Sequence, residues 1–78
     1  MPTILEIFGL RFFFFASEHE PIHVHVQKGG GEAKINLVPS VELVSSNRMK
    51  KQDIKKALSV VENFRDEFIK EWESFHKK

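Results

Sequence analysis

Ile22-His23-Val24-His25-Val26-Gln27-Lys28-Gly29-Gly30-Gly31-Glu32-Ala33-Lys34-Ile35-Asn36-Leu37 reads as a β-hairpin. Two runs alternate apolar and polar residues, Ile22 to Gln27 and Glu32 to Leu37, around the turn Lys28-Gly29-Gly30-Gly31. The register tests itself. With Gln27 facing Glu32, Val26 meets Ala33, His25 meets Lys34, Val24 meets Ile35 and His23 meets Asn36. Apolar then pairs with apolar and polar with polar, a match that a slip of one residue destroys. Alternation sends Val24, Val26, Ala33, Ile35 and Leu37 to one face and His23, His25, Glu32, Lys34 and Asn36 to the other. The first face needs a cover. The second is left open to water or a partner.

Upstream, Ile4 to Phe8 and Leu10 to Ala16 read as two further strands joined at Gly9, and the four phenylalanines from Phe12 to Phe15 load both faces of the second. Ser17 to Pro21 forms the turn into the hairpin, with Pro21 holding Glu20 extended. Downstream, Val41 to Val44 supplies a short fifth strand. Ser45, Ser46 and Asn47 offer capping oxygens ahead of a helix from about Lys50 to about Phe75. Ile54, Leu58, Val61, Phe64, Phe68, Trp72 and Phe75 recur at steps of three or four, the stripe of a helix laid on a sheet. The expected class is α+β: a two-layer sandwich, an antiparallel sheet of four to five strands packed against one long C-terminal helix, as a single domain over residues 1–78.

Seventy-eight residues without cysteine exclude disulfides and thiolate zinc sites, so stability must come from apolar packing or oligomerisation, and a reducing cytoplasm is the natural setting. The start has no basic leader, and the Phe12 to Ala16 run is far too short to span a bilayer, which argues for a soluble protein without membrane attachment. The net charge of +1 is unevenly spread. Arg48, Lys50, Lys51, Lys55 and Lys56 face Asp53 alone between residues 48 and 56, inside otherwise mildly acidic flanks.

Chemistry concentrates at Glu18 to Val26, where His19, His23 and His25 fall within seven positions. Cross-strand neighbours lie about 5 Å apart, so His25 with Lys34 and His23 with Asn36 can act on one small group. One histidine as base, another as acid, and Lys34 with Arg11 to stabilise phosphate charge is the equipment of a metal-independent ribonuclease. The alternative is a polar outer face that binds a partner protein or a second copy. Phe13 and Phe15, on the same face as Arg11, would widen it with apolar surface. A third reading is metal binding, with His19 (or Glu18), His23 and His25 as ligands for zinc or nickel, although Lys34 opposes a cation there. A histidine-triad hydrolase would need histidine where Gln27 stands.

Arg48, Lys50, Lys51, Lys55 and Lys56 crowd the start of a helix, where the dipole favours acidic residues. That placement suits an anion, RNA phosphate or an acidic protein. The glycines of the Lys28 to Gly31 turn are explained by the turn itself.

Met1-Pro2-Thr3-Ile4-Leu5, Phe8-Gly9-Leu10-Arg11-Phe12-Phe13-Phe14, Glu18-His19-Glu20-Pro21-Ile22-His23-Val24-His25-Val26 and Gly30-Gly31-Glu32-Ala33-Lys34 together resemble family 4160 of the domains of unknown function. The helix onset at Lys50 to Leu58 and the Trp72 region share the likeness. Phe15 departs from a tyrosine frequent in that family. The resemblance implies a small prokaryotic protein whose gene neighbours a second small family and is grouped with toxin–antitoxin modules. It implies no catalytic residue. The expectation is a toxin–antitoxin-type component that acts on or binds RNA, with a cognate small protein or a second copy as partner.

Overall fold

The computed structural model describes residues 3–14 and 21–76, without the side chains of Thr3, Phe75 and His76. Five antiparallel strands follow one another across the sheet in chain order: β1 (Thr3–Ile7), β2 (Leu10–Phe13), β3 (His23–Lys28), β4 (Gly31–Asn36) and β5 (Glu42–Asn47). Two helices complete the chain, α1 (Lys51–Asn63) and α2 (Arg65–His76). The class is α+β, as expected. Among the described residues, no helix is long and apolar enough to cross a membrane.

The β3–β4 register is the one that side-chain complementarity demands: His23 opposite Asn36, Val24 opposite Ile35, His25 opposite Lys34, Val26 opposite Ala33 and Gln27 opposite Glu32. The ladder also continues through Lys28 and Gly31, so the turn is Gly29-Gly30 rather than four residues. Gly29, at φ 56°, takes the left-handed conformation that a two-residue hairpin loop needs. Leu10, Phe12, Phe14, Val24, Val26, Ala33, Ile35 and Leu37 form the buried face of the sheet and meet Ala57, Val60 and Val61 of α1 and Phe68 and Trp72 of α2. Phe12 packs on Phe68 with ring centroids 5.6 Å apart, and Phe14 on Trp72 at 5.3 Å. Burying each such side chain contributes about 1.5–3 kcal/mol, which a chain this short needs from nearly every apolar position.

Two expectations about the helical part are corrected. The single helix from Lys50 to Phe75 is two helices, interrupted at Phe64, whose φ of −112° and ψ of 18° are not helical. Phe64 N–H still donates to the Val60 carbonyl (2.9 Å) and Phe68 N–H to the Phe64 carbonyl (2.8 Å), so the apolar stripe runs through the break and conceals it. The break is held from outside: Arg65 Nε donates to the Leu37 carbonyl at 2.7 Å and Nη2 to that of Pro39 at 3.4 Å. Phe75, the last residue of the stripe, lies outside the described side chains, as Phe15 and Ala16 lie outside the described residues.

Second, Ser45, Ser46 and Asn47 are not helix caps. They extend β5 beyond Val44, with Ser45 opposite Lys34 and Asn47 opposite Glu32, because pairing with β4 satisfies their backbone groups better than a turn would. The residue preceding α1 is Lys50, at the expected start, in an extended conformation without a side-chain capping bond. Asp53, buried in the first turn, instead accepts from Lys28 Nζ at 3.0 Å and so fastens the helix start to the β3–β4 hairpin.

Arg65→Ala removes a charge-assisted donor and leaves the Leu37 carbonyl without it, so unfolding in urea should lose about 1.5–2 kcal/mol. Arg65→Lys, which cannot reach two carbonyls as a planar fork, should recover at most half of that loss. A change below about 0.3 kcal/mol for Arg65→Ala would show that the helix break does not depend on this bond.

Candidate functional site

On the face of the sheet away from the helices, pairing across three strands aligns Phe13, His25 and Lys34, with Ser45 beyond on β5. Phe13 lies nearly parallel to the His25 ring, with centroids 5.5 Å apart and 22° between planes. Arg11, two residues back along β2, sets its guanidinium carbon 4.8 Å from the Phe13 centroid and donates from Nη2 to Gln27 Oε1 at 3.2 Å. Its order therefore comes from an aromatic face and a neighbouring amide. A depression of about 360 Å³ opens here, lined by Phe13, His25, Lys34, Glu32, Ser45 and Asn47.

Arg11, His25 and Lys34 are thus brought together on one face, and His25 and Lys34 are both half-buried. His23 is placed otherwise. It is 3% exposed, so the expectation of two imidazoles on an open face fails at this residue. The His23 ring packs against Trp72 of α2, with centroids 5.1 Å apart. His25 also meets this ring, edge-on at 5.2 Å. His23 Nδ1 lies 2.8 Å from the Pro21 carbonyl, which can only accept, so the proton sits on Nδ1. His23 is therefore a buried neighbour of His25, and His25 itself meets the depression.

Two buried polar atoms flank this row, Arg11 Nε and Asn36 Oδ1, and neither has a hydrogen-bond partner among the described residues. For a metal, His23 and His25 supply two rings, and His19 and Glu18 lie outside the described residues. Among the described residues no three His, Asp or Glu side chains converge on one point.

The basic group begins where the depression ends. Asn47 lines the depression and Arg48 follows it directly, at φ 58°. The backbone of Arg48 lies so close to Gly31 that a Cβ there would stand 2.2 Å from the Arg48 carbonyl oxygen. Lys50, Lys51, Lys55 and Lys56 continue along the first turns of α1, all exposed. Lys56 Nζ reaches to 5.9 Å from the ring of Phe8, at the tip of the β1–β2 turn.

Sequence reasoning did not find Ser45 and Asn47 as lining residues, because short polar side chains suit a helix cap as well as an edge strand. It also missed Trp72 behind His23 and the bond between Lys28 and Asp53. The last of these joins residues 25 positions apart and leaves no local signal.

The family model described as Domain of unknown function (DUF4160) matches residues 9–73. No curated protein and no solved structure matches the chain.

Proposed function

Because this chain belongs to DUF4160, a family of domains of unknown function, we propose its role from its surface: it is an RNA-binding component of the toxin–antitoxin type, working in the cytoplasm. One observation carries the reading. Asn47 lines the depression that holds His25 and Lys34, and along the chain it leads directly into Arg48 and the four exposed lysines of the α1 start. An imidazole and an ammonium side by side can hold a phosphate and its neighbouring hydroxyl, and a basic track beside them suits the polymer to which that phosphate belongs. Arg11 adds charge at the β2 end, and His23 acts through His25 as a positioning residue. Where cleavage accompanies binding, it is metal-independent: His25 takes the 2′-hydroxyl proton as that oxygen bonds to phosphorus, Lys34 stabilises charge on the phosphate, and the P–O5′ bond breaks with the leaving 5′-oxygen protonated by water.

Binding of a labelled RNA oligonucleotide, followed by anisotropy at several salt concentrations, tests the proposal. Lys34→Gln should weaken binding about five- to tenfold, the effect of one charge-assisted contact. Lys50→Gln with Lys51→Gln should weaken binding to any sequence and lower the salt slope by about 1.4. His25→Ala should abolish both cleavage and any growth arrest on expression. RNA affinity that is absent in the wild type, or equal in all variants, overturns the proposal.

A second reading has its own observation. β5 is an edge strand with Leu43 37% and Val44 49% exposed, so it offers both an open backbone ladder and apolar side chains. A cognate small protein from a neighbouring gene, or a second copy, could add a strand there. Light scattering and co-expression decide: a strict monomer that retains no neighbour protein counts against this reading.

A further inference from the structure

Phe8 stands where its turn asks for a different residue. Ile7 pairs with Leu10, so the β1–β2 connection is the two-residue loop Phe8-Gly9, with φ of 56° and 74°. Two left-handed residues in succession define the type I′ turn, which favours Asn-Gly, and a bulky side chain at the first position is an outlier. The ring gains little from packing, since Phe8 is 61% exposed. The ammonium of Lys56, 5.9 Å from its centroid, is at the outer limit of a cation–π contact. A residue that breaks a local rule without packing to compensate is a functional candidate.

Its surroundings say for what. Lys56 borders the ring, and Lys28 Cε passes 3.5 Å from where a Cβ on Gly9 would stand, with Lys51 and Lys55 exposed on the same first turns of α1. Beside the turn a depression of about 340 Å³ is lined by Glu6, Ile7, Phe8, Gly9, Leu10 and Arg11. Arg11 thus belongs both to this depression and to the row that leads to His25. An exposed aromatic face among ammonium groups is how proteins grip unpaired strands, with bases stacking on the ring and phosphates meeting the cations. A duplex keeps its base faces covered and has no use for such a ring.

We infer that Phe8 is a stacking platform for an unpaired base, with Lys56 at the adjoining phosphate, so that the ligand is single-stranded RNA. The inference rests on the RNA reading above and adds the class of RNA and the point of base contact. The test uses the whole chain and a labelled single-stranded oligonucleotide of about 12 nucleotides, set against a duplex of the same sequence. Phe8→Asn restores the preferred Asn-Gly turn, so its melting temperature should hold or rise by a few degrees, while single-strand affinity falls about tenfold. Phe8→Trp keeps a stacking face and should bind as the wild type does. Duplex binding should be weaker and unmoved by either change. If Phe8→Asn binds the single strand as tightly as the wild type, the inference falls and the RNA reading stands. If the wild type binds no RNA, both fall. If the substitution instead abolishes binding to phosphatidylserine vesicles and leaves RNA binding intact, Phe8 is a membrane-surface anchor and the inference is overturned.

Discussion

Gly31→Ala should lower the free energy of unfolding by about 3 kcal/mol, and the melting temperature by more than about 10 °C. A Cβ at this position would stand 2.2 Å from the carbonyl oxygen of Arg48, 2.8 Å from its carbon and 3.1 Å from Met49 Cα. All three are backbone atoms, so no side-chain rotation relieves the contact, and the segment entering α1 must move. The two preceding glycines give the contrast. Gly30 has nothing within 4 Å of its added Cβ and no left-handed φ, so Gly30→Ala should be neutral or stabilise by about 0.5 kcal/mol through the unfolded chain. Gly29 also has open space but sits at φ 56°, so its cost is conformational and falls between the two. Urea unfolding of the three variants should give the order Gly31, Gly29, Gly30, and equal effects at Gly31 and Gly30 would refute the close approach. Gly31→Ala should also disturb RNA affinity in whatever fraction stays folded, because the segment it displaces carries Arg48 and leads to Lys50.

That glycine illustrates what could be read in advance. The register of the hairpin was legible because Val24 with Ile35 and Val26 with Ala33 leave a single alignment that buries every apolar residue. The length of its turn was not, since three consecutive glycines allow a short or a long loop, and the need for Gly31 comes from Arg48, 17 positions away. Ser45 and Asn47 pose a similar ambiguity: local propensity does not distinguish a cap from an edge strand, and β4 decides. The interruption at Phe64 hid behind an unbroken apolar stripe, although Asn63 followed by Asp66 and Glu67 is a helix stop followed by an acidic first turn. For the candidate site, alternation placed His25, Lys34 and Arg11 on a shared face. It failed to foresee the burial of His23, because alternation is a local rule and the ring that packs on His23 belongs to Trp72 of α2, far along the chain.

Trp72→Ala should cost about 4 kcal/mol, the usual penalty for emptying a buried indole site. Trp72 is 4% exposed and touches Phe14 at 5.3 Å and His23 at 5.1 Å, so its removal opens a cavity between α2 and the sheet. A chain of 78 residues has about 4–12 kcal/mol of stability in all, so the loss takes from a third to the whole of it. A loss below about 1.5 kcal/mol would mean that α2 does not pack as described. Trp72→Phe separates folding from positioning. It keeps an aromatic wall and should lose about 1–2 kcal/mol, so it stays folded. The His23 ring then sits against a smaller face, and His25, edge-on to it at 5.2 Å, loses part of its support. The expected signature is a His25 side-chain resonance that broadens or shifts while the Lys34 amide and the strand pairing are unchanged. An unaltered His25 resonance in folded Trp72→Phe would sever the link from α2 through His23 to the depression, and His23 would then be a core histidine with no part in the site.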